Sequence, residues 1–380
     1  MPRVLLISHT CQSRTEGQPK AEILAEMPDI DLKVIVPDRW KHYGEWRAAD
    51  VDQGSTVFDV QKVRLPWAGP AQFYLHYYPA LGNVLRSFKP DVVDLWEEPW
   101  GLVSAQACRL RNKFLPNAKI ISETEQNLNR RLPPPFEIFR SYTLRNADYV
   151  VGRSREAVEV AESKGYRGPS STVPNAVDTK LFRPLDRGVC RQQLGWPQTR
   201  FIAGYVGRLV ERKGLADFVD AVRRCPAEVT IAYIGTGPMH DWIKQQSESA
   251  ELLGRVLLVP GKPLSELPAV MNALDVLVLP SRTVPTWKEQ FGRVIIEAHA
   301  CGVPVIGSDS GAIAEVIEDG GIVFPEGDAA ALANALNAMF EHTSRRHEMG
   351  KAGSRQVNEK YTWRKVAERM AKIYRQLADG

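Results

Sequence analysis

Short apolar runs rich in β-branched residues alternate with helix-like segments along the whole chain, and this alternation restricts the possible folds more than any other feature. It predicts βα units, which build parallel sheets. In the first half, the predicted strands are residues 4–8, 32–36, 57–63, 92–96, 119–122, 149–152 and 171–173. The sequence therefore predicts an α/β protein.

The same alternation begins again after residues 182–199. That stretch is rich in Pro, Arg and Gln, has no apolar period, and is interpreted as a linker. The strands predicted beyond it are residues 201–206, 229–234, 256–259, 276–279 and 303–307. The helices predicted there are residues 216–224, 264–273, 292–300, 312–317, 329–340 and 344–357. Each half is thus predicted to form a doubly wound sheet.

This repetition predicts two Rossmann-like domains, residues 1–185 and 186–360, and a C-terminal helix, residues 361–380. The helix keeps its apolar residues at helical spacing, so it has one face to bury. It could pack on its own domain, but we expect it to cross back to the first. Two doubly wound domains that face each other would form a cleft for two substrates, with the chemistry on loops that follow strands.

Composition excludes several classes of protein. The formal net charge is only +4, so no strong field for nucleic acid is expected. The five cysteines are scattered without a Cys-x-x-Cys pair, which argues against a disulfide framework or a zinc site. The first residues resemble no signal peptide, and no run approaches the ~20 apolar residues of a membrane span. We expect a cytoplasmic protein, with peripheral contact at the inner membrane face left open.

A basic loop, residues 204–214, follows the first strand of the second half. Its cations Arg208, Arg212 and Lys213 fall between two glycines, Gly207 and Gly214, and a helix start follows. Guanidinium and ammonium donors beside the free amides of a first helical turn suit a diphosphate. We expect Arg208, rather than Arg212, to point into the cleft. The alternative is a solvated charge run in a surface loop.

A glycine-rich turn, Gly235-Thr236-Gly237-Pro238, follows another predicted strand. It lacks the third glycine of a dinucleotide fingerprint, and the loop after the first strand of the chain lacks the motif altogether. A nicotinamide-dependent dehydrogenase is therefore disfavoured. The turn at Gly237 either lets a base or phosphate approach the backbone or is a plain turn.

Two glutamates, Glu289 and Glu297, lie on either side of a predicted helix start at Phe291-Gly292. The free amides of this start, in residues 292–294, predict a second anion site. Because carboxylates repel phosphates, we expect the glutamates to bind hydroxyls of a sugar and a ribose. The alternative is a helix-dipole charge at Glu289 and an exposed helix face at Glu297. A glycosidase acid/base pair is disfavoured, because its carboxyl groups must flank a bond from opposed positions.

As a set, these residues resemble family 4 of the retaining, GT-B-fold glycosyltransferases. The resemblance is carried by Gly207-Arg208, Lys213-Gly214, Pro280-Ser281, Glu289 and Glu297 with Phe291-Gly292, Gly302-Val303-Pro304-Val305 and Pro174-Asn175-Ala176-Val177-Asp178. It covers nearly all of the second domain and the first only loosely. It implies transfer of a hexose from a nucleoside diphosphate sugar, with UDP or GDP, to a hydroxyl of a glycan, glycolipid or lipid-linked saccharide.

The resemblance also implies residue roles. Arg208 and Lys213 would bind the donor diphosphate and stabilise the leaving nucleotide in place of a metal. Glu289 would contact the transferred sugar and Glu297 the ribose. The other implied donor-binding residues are Gly207, Gly237, Gly261, Lys262, Phe291, Gly292, Arg293 and Val294. No cofactor or metal is expected, and the two Asp-x-Asp matches, residues 29–31 and 50–52, are attributed to chance.

The first domain would bind the acceptor, and it departs from the family pattern. Members often have a histidine near the reacting carbon, whereas residues 121–127 here supply carboxylates and amides. Glu123 or Glu125 is predicted to take a similar polar role or to cap the loop. Weaker acceptor-side candidates are His9, Gly17, Gln126, Asn127 and Tyr77.

Two aromatic clusters in loop-like segments are predicted either to stack on sugars or lipid chains or to form core. They comprise Trp40, His42, Tyr43 and Trp46, and Phe73, Tyr74, Tyr77 and Tyr78. The basic segment 130–136 is expected to contact an anionic acceptor or a membrane surface.

A fold does not fix a function, so other functions stay open at this point. A nucleotide-sugar epimerase or a phosphorylase could use the same scaffold, and so could a non-catalytic nucleotide-sugar-binding protein.

Overall fold

A computed structural model describes residues 1–42, 45–52, 54–65 and 72–379, and the chain forms two compact units. Unit 1 comprises Met1–Pro174 and Trp363–Gly380, and unit 2 comprises Asn175–Thr362. Each unit contains one parallel sheet flanked by helices, so the predicted α/β class is confirmed. None of the helices among these residues is both long and apolar enough to cross a membrane.

Unit 1 is built on a seven-stranded parallel sheet. Its strands and those of a small hairpin are β1 Arg3–Ile7, β2 Asp31–Pro37, β3 Arg39–His42, β4 Glu45–Ala48, β5 Phe58–Gln61, β6 Val92–Leu95, β7 Lys119–Thr124, β8 Tyr149–Gly152 and β9 Ser170–Thr172. Its first five helices are α1 Gln18–Ala25, α2 Leu81–Phe88, α3 Leu102–Phe114, α4 Phe136–Asn146 and α5 Arg155–Ser163. The strand order is β5-β2-β1-β6-β7-β8-β9. Successive strands are added on one side of β1 and then, from β6 onward, on its other side, so the strand order reverses between β1 and β6.

Unit 2 is built on a six-stranded parallel sheet. Its strands are β10 Phe201–Val206, β11 Val229–Ile234, β12 Val256–Val259, β13 Val276–Leu279, β14 Val305–Ser308 and β15 Gly321–Phe324. Its helices are α6 Arg187–Leu194, α7 Leu215–Arg223, α8 His240–Ser247, α9 Leu267–Ala273, α10 Arg293–Ala300, α11 Ile313–Ile317, α12 Ala329–Glu341 and α13 Thr343–Gln356. The order β12-β11-β10-β13-β14-β15 reverses between β10 and β13.

Several strands of both sheets are buried on both faces, as expected for strands covered by helices on each side. Every residue of β8, β11 and β13 is buried. The continuous apolar runs that predicted these strands are thus a direct result of two-sided burial.

The stretch predicted to be a linker is instead the start of unit 2. Helix α6 begins after Asp186, whose carboxylate accepts a hydrogen bond from the Val189 amide at 2.8 Å, and ends at Gly195 in the left-handed conformation. Trp196 belongs to the unit 2 core. The helix was missed because it is short and only a narrow face is apolar. Unit 2 accordingly begins at Asn175, before the predicted boundary.

The last helix, α14 Trp363–Ala378, packs within unit 1. The Tyr374 hydroxyl donates to Asp94 Oδ2 on β6 at 2.6 Å, and both side chains are buried. Arg375 forms two hydrogen bonds with Asp29, of 2.6 and 3.0 Å. The buried positions follow the apolar spacing seen in the sequence.

The two aromatic clusters divide into core and surface. Trp40 and Tyr78 are buried in the unit 1 core, whereas Trp46 and Tyr74 are almost half exposed. The first cluster lies on the β3–β4 hairpin rather than in a loop. Tyr43 and the side chains of His42 and Phe73 lie outside the described residues.

Candidate functional site

The carboxyl ends of β10 and β13 lie side by side in unit 2, where the strand order reverses. In open α/β sheets, ligands bind at such a point. The loop after β10 carries Lys213, and its Nζ lies 2.5 Å from Oε2 of Glu289, which precedes α10. Two residues predicted from separate motifs therefore form one ion pair.

Two further side chains hold this pair. Ser281 Oγ donates to Glu289 Oε2 at 2.9 Å. Lys213 Nζ lies 4.6 Å from the centroid of the Trp287 ring, and the guanidinium carbon of Arg212 lies 4.9 Å from the same centroid. Both distances allow cation–π attraction, so Trp287 fixes the position of two cations.

Glycines bring the loops of this site together. Gly214 has φ +66°, and a Cβ there would lie 1.8 Å from the carbonyl oxygen of Pro280. The loops after β10 and β13 therefore touch through backbone, which lets Lys213 reach Glu289. Gly237 has φ +156°, and its Cβ would lie 2.3 Å from the carbonyl oxygen of Leu209. The requirement for glycine at 237 is thus explained by packing inside unit 2.

Helix α10 begins at the edge of the same site, after Gly292 with φ +79°. Within the described part of the chain, the amides of Gly292, Arg293 and Val294 donate no hydrogen bond. Glu297 follows on the next turn and is half-buried. Burial raises the pKa of Glu297, with Arg293 opposing the shift, and its carboxylate has no hydrogen-bond partner among the described residues.

The two arginines of the loop after β10 differ in their exposure to solvent. Arg208 is exposed, and within the described ranges its guanidinium forms no ion pair. The Gly207 amide before it donates to Ile234 at 3.0 Å, so it belongs to the backbone framework of the sheet. Arg212, by contrast, lies against Trp287. Arg208 is therefore the more accessible of the two arginines.

Three other predicted donor residues lie outside this cluster of charges. Gly261 lies beside Thr236, whose Cγ2 would be 3.7 Å from a Cβ at 261. Lys262 pairs with Glu266 at 2.9 Å on the surface. The Phe291 side chain is buried in the unit 2 core, which leaves only its main chain for a ligand.

Unit 1 has a second cluster of polar residues at the corresponding place, where its strand order reverses between β1 and β6. A cavity of about 150 Å³ opens there. Its lining comes from the ends of four strands: His9 and Thr10 after β1, Trp96, Glu97 and Glu98 after β6, Glu123, Thr124 and Glu125 at the end of β7, and Arg153 after β8. Three predicted candidates, His9, Glu123 and Glu125, are thus brought together.

Glu123 is the centre of a buried ion-pair network. Its Oε1 lies 3.0 Å from Lys20 Nζ, and its Oε2 contacts the Arg153 guanidinium. All three side chains are at most 2% exposed. Burial alone would raise the pKa of Glu123, but Arg153 and Lys20 outweigh it and hold the pKa below its usual value. Glu123 therefore joins β7 to α1 and β8.

His9 is held by Glu97. Its Nδ1 lies 2.8 Å from Glu97 Oε2, its amide donates to Oε1 at 2.6 Å, and its ring stacks on Trp40 with centroids 4.6 Å apart. Burial would lower the pKa of His9, but the Glu97 carboxylate outweighs this and raises it. Glu97 also lies 3.8 Å from Nε2 of the buried His76, so this carboxylate faces two histidines.

Among the described residues, Glu98 accepts hydrogen bonds only from neutral groups. Thr124 Oγ1 donates to Oε2 at 2.8 Å, and the Glu125 amide donates to Oε1 at 2.9 Å. Burial raises the pKa of Glu98 to about 8, and the nearby Glu125 carboxylate adds to the shift. Glu125 itself lies 3.9 Å from Arg153 Nε.

Four acceptor-side candidates do not line this cavity: Gly17, Gln126, Asn127 and Tyr77. The Gly17 amide donates to the Thr10 carbonyl at 3.2 Å, and Asn127 Nδ2 donates to Glu156 at 3.1 Å. The Gln126 amide donates to Thr124 Oγ1 at 3.1 Å. Tyr77 pairs through its backbone with Arg64. The structure therefore does not bring these four residues to the lining of the cavity.

The sequence reasoning missed several residues of both clusters: Lys20, Trp96, Glu97, Glu98, Arg153 and Trp287. A usable signal existed for Glu97 and Glu98, two consecutive carboxylates directly after a predicted buried strand. No local signal marks Lys20, because Glu123, its partner, lies 103 positions away. Trp287 could have been noticed only through its distance from Lys213 in space.

The structure offers no cluster for a bound metal: among residues 1–42, 45–52, 54–65 and 72–379, no three His, Cys, Asp or Glu side chains are grouped to hold one. Both Asp-x-Asp matches contact arginines instead. Asp29 pairs with Arg375, and Asp50 lies 3.1 Å from Arg14 Nε. All five cysteines are buried free thiols.

Comparison with known proteins agrees with this architecture. The family model described as Glycosyl transferases group 1 matches residues 186–356, and that described as Glycosyltransferase Family 4 matches residues 24–181. The chain is 30% identical over 312 residues to a glycogen synthase of Mycobacterium tuberculosis, covering 76% of this chain and 69% of that protein. It is 32% identical over 281 residues to the 2-deoxystreptamine N-acetyl-D-glucosaminyltransferase of Streptomyces fradiae, covering 67% and 64%.

Other curated relatives are matched over only 52 to 57% of their own length. Among solved structures, Anabaena HepE in complex with UDP and glucose aligns with a TM-score of 0.71 at 21% identity, over 99% of this chain and 100% of that one. At that identity, the likeness concerns the fold. Together with the two family matches, it shows that the chain belongs to the group 1 glycosyltransferases of family 4 and has the GT-B fold.

Proposed function

We propose that the protein transfers a hexose from a nucleoside diphosphate sugar, with UDP or GDP as the nucleotide, to an acceptor hydroxyl, with retention of anomeric configuration and without a metal ion. The observation that carries this proposal is the Lys213–Glu289 pair beside the start of α10. It combines cationic groups, free amides and carboxylates within one unit. A diphosphate sugar needs all three.

The diphosphate would lie between Arg208, Lys213 and the free amides of residues 292–294. A guanidinium or ammonium group forms strong, charge-assisted hydrogen bonds with phosphate oxygens. Negative charge grows on the phosphate as the glycosidic bond breaks, so these donors stabilise the transition state more than the bound substrate. They supply the positive charge that a metal would otherwise provide.

The carboxylates would bind the two ends of the donor. Glu289 already accepts hydrogen bonds from Lys213 and Ser281, which orients it toward hydroxyls of the hexose. Glu297 has no hydrogen-bond partner among the described residues, so a ribose diol could donate to both of its oxygens. The complexes of HepE with UDP and with UDP-glucose support a nucleotide-sugar donor.

Retention would follow if the acceptor hydroxyl attacked from the face that the diphosphate leaves. The departing phosphate oxygen would then take the acceptor proton, and no protein base would be needed on the opposite face. The acceptor would be held by unit 1, where the cavity beside His9 offers hydrogen-bonding groups.

Peripheral membrane contact is a further part of the proposal. Ile138 on α4 is 62% exposed, and Tyr74, 46% exposed, contacts Phe136 with centroids 6.2 Å apart. Arg130 and Arg131 are exposed close to them in sequence. Apolar and basic side chains together favour an anionic lipid surface, and sedimentation with anionic and with neutral vesicles tests this.

A thermal-shift panel of UDP-, GDP-, ADP- and dTDP-sugars tests the donor assignment, because a ligand that binds the native state raises Tm. We expect one nucleotide class to raise Tm and Lys213→Ala or Glu297→Ala to abolish the increase. Lys244→Ala, on an exposed position of α8, serves as the matched control. If no donor changed the Tm of the wild type, the proposal would fail.

A further inference from the structure

The Lys213 ammonium has two partners of different kinds among the described residues. Its Nζ lies 2.5 Å from Glu289 Oε2 and 4.6 Å from the centroid of the Trp287 ring. The carboxylate attracts the ammonium through its charge, whereas the ring attracts it through the quadrupole of its π-system. A ligand that competes for the carboxylate would therefore leave the attraction of the ring in place.

The carboxylate is the partner for which a donor substrate would compete. Glu289 Oε2 accepts hydrogen bonds from both Lys213 Nζ and Ser281 Oγ. In the proposed function, hexose hydroxyls donate to Glu289 and phosphate oxygens accept from Lys213. A diphosphate carries more negative charge than one carboxylate, so it attracts the ammonium away from Glu289. The contact between Lys213 and Glu289 is thus expected to lengthen as the donor binds.

The Trp287 ring is held in place through its backbone. The Val284 amide donates to the Trp287 carbonyl at 2.8 Å, and the Trp287 amide donates to the Val284 carbonyl at 3.0 Å, which closes a tight turn. The same loop is joined to that of Lys213, because the Arg282 amide donates to the Arg212 carbonyl at 2.8 Å. The ring and the backbone of Lys213 therefore belong to one connected framework.

The side chain of Lys213, by contrast, is a flexible stem that ends in a compact charge. When one contact of the ammonium is lost, many rotamers become accessible to it. Holding the ammonium at one point costs conformational entropy, and a contact that exists before the donor binds removes this cost from the later steps. The ring face of Trp287 supplies such a contact.

Arg212 lies on the same ring but has no link to Glu289. Its guanidinium carbon is 4.9 Å from the ring centroid, and among the described residues its side chain forms no ion pair. The two cations thus share the ring and differ in the second partner. Arg212 therefore offers a comparison within the same site.

We propose that Trp287 is a positioning residue for the reaction: its ring keeps the Lys213 ammonium in place while this ammonium exchanges Glu289 for a phosphate oxygen of the donor. The inference rests on the proposed function, from which it takes the diphosphate as the ligand of Lys213. Negative charge grows on the departing phosphate, so a well-placed ammonium has its largest effect in the transition state. Loss of the ring should therefore reduce kcat more than it raises KM.

Steady-state kinetics tests the inference, with release of the nucleoside diphosphate measured from the UDP- or GDP-hexose that the thermal-shift panel selects. We expect Trp287→Leu to reduce kcat about tenfold and to keep KM within about threefold, because cation–π attraction to a partly buried ammonium has an effect of this order. Trp287→Phe keeps a ring face and should retain at least about one third of the wild-type kcat. Trp242→Leu, the same substitution at a partly buried position of α8, should keep kcat within about twofold of the wild type.

A double-mutant cycle shows whether Trp287 acts through Lys213. Trp287→Leu should reduce kcat by less than about twofold in a Lys213→Ala background and by about tenfold in an Arg212→Ala background. If Trp287 only supported the fold, the loss would be the same in both backgrounds. An equal loss in the Lys213→Ala background, a loss that disappears only in the Arg212→Ala background, or a wild-type kcat for Trp287→Leu would overturn the inference.

A measurement without turnover covers the case in which Trp287→Leu does not fold. When tryptophan is replaced by 5-fluorotryptophan, the fluorine NMR signal of Trp287 is the one absent from Trp287→Phe. We expect Lys213→Ala to shift this signal by more than its line width, because it removes a charge beside the ring, and Lys244→Ala to leave the signal in place. A signal that did not move in Lys213→Ala would overturn the inference.

Binding of the nucleotide sugar to the wild type tests the proposed function separately. If the donor binds and is turned over while Trp287→Leu keeps the wild-type kcat, the inference fails and the proposed function stands. If no nucleotide sugar is bound or consumed, the proposed function fails, and the positioning role fails with it even when the fluorine signal moves.

Discussion

Units 1 and 2 place their polar clusters at the same topological position, beside the strands where the sheet order reverses, but they arrange charge in opposite ways. In unit 2 the cluster is open: Arg208 is exposed, Glu297 is half-buried, and the Lys213–Glu289 pair is partly accessible. In unit 1 the central pairs are sealed, with Lys20, Glu123 and Arg153 at most 2% exposed.

Equivalent positions in two related sheets can therefore serve different purposes. The charges of unit 2 are available to a ligand, so their removal should affect binding and catalysis more than stability. Those of unit 1 are largely consumed by one another, so the removal of one leaves another buried without a partner. Substitutions in the two clusters should therefore change different properties of the protein.

The largest effect is expected in the sealed network of unit 1. Glu123→Ala leaves the buried cations of Lys20 and Arg153 without their counter-charge, and we expect a loss of about 3–5 kcal/mol in the free energy of unfolding. Urea denaturation measures it. Glu368→Ala, which removes an exposed partner of Lys365 on α14, should cost at most about 1 kcal/mol. Similar losses for both variants would contradict a sealed network.

The next effect concerns the open pair of unit 2. Lys213→Ala removes a cation from the proposed diphosphate site, and we expect kcat/KM for nucleotide release to fall by about 10²–10³, or roughly 3–4 kcal/mol. Its urea midpoint should change little. Lys244→Ala, on an exposed position of α8, should keep kcat/KM within about threefold of the wild type. Full activity of the Lys213→Ala variant would show that the diphosphate does not bind at Lys213 in unit 2.

A smaller effect is expected at Glu297. Glu297→Gln replaces a charged acceptor by a neutral one, and we expect the Kd for the donor to rise about tenfold, because hydrogen bonds to charged groups contribute roughly 1.5–3 kcal/mol. Titration calorimetry with the donor found in the panel measures the change. Glu348→Gln, on the exposed face of α13, should leave the Kd unaltered. A donor Kd equal in both variants would mean that the ribose lies elsewhere.

The smallest effect is a pH dependence at Glu98. Its native pKa of about 8 lies above the unfolded value, so between those two pH values the native state holds a proton that the unfolded state has lost. Stability therefore falls as pH rises through this window. In Glu98→Gln we expect the fall in Tm from pH 6 to pH 8 to be smaller by about 2–5 °C.

Asp94, whose pKa burial also raises to about 8, acts in the same direction and keeps part of the slope in that variant. Glu159→Gln should reproduce the wild-type slope. If Glu98→Gln showed a steeper fall than the wild type, the assignment of a native proton to Glu98 would be wrong.

The sequence predicted the α/β class and most strands, because strands buried on both faces have continuous apolar runs. It predicted Lys213 and Glu289 as site residues because each lies in a short loop directly after a strand or before a helix. The meeting of these two loops depends on Gly214, and the sequence shows this glycine only as part of a motif. Local pattern was therefore sufficient to find the residues but not their pairing.

Unit 1 shows why the rest could not be predicted. Glu123 was predicted as a catalytic candidate, but its environment is set by Lys20, 103 positions away, and Arg153, 30 positions away. The spacing of apolar residues along the chain gives no information about contacts between residues so far apart in sequence. The burial that raises the pKa of Glu98 likewise arises only when unit 1 is folded. Helix α6 was missed for another reason, since its exposed polar residues hide a narrow apolar face.

The most direct test of the central claim is a crystal structure with the nucleotide sugar that the thermal-shift panel selects. We expect the diphosphate within hydrogen-bonding distance of Lys213 Nζ and the amides of residues 292–294, with the ribose on Glu297 and hexose hydroxyls on Glu289. A nucleotide sugar bound in the cavity of unit 1, or in unit 2 without contact to Lys213 and Glu297, would contradict the account.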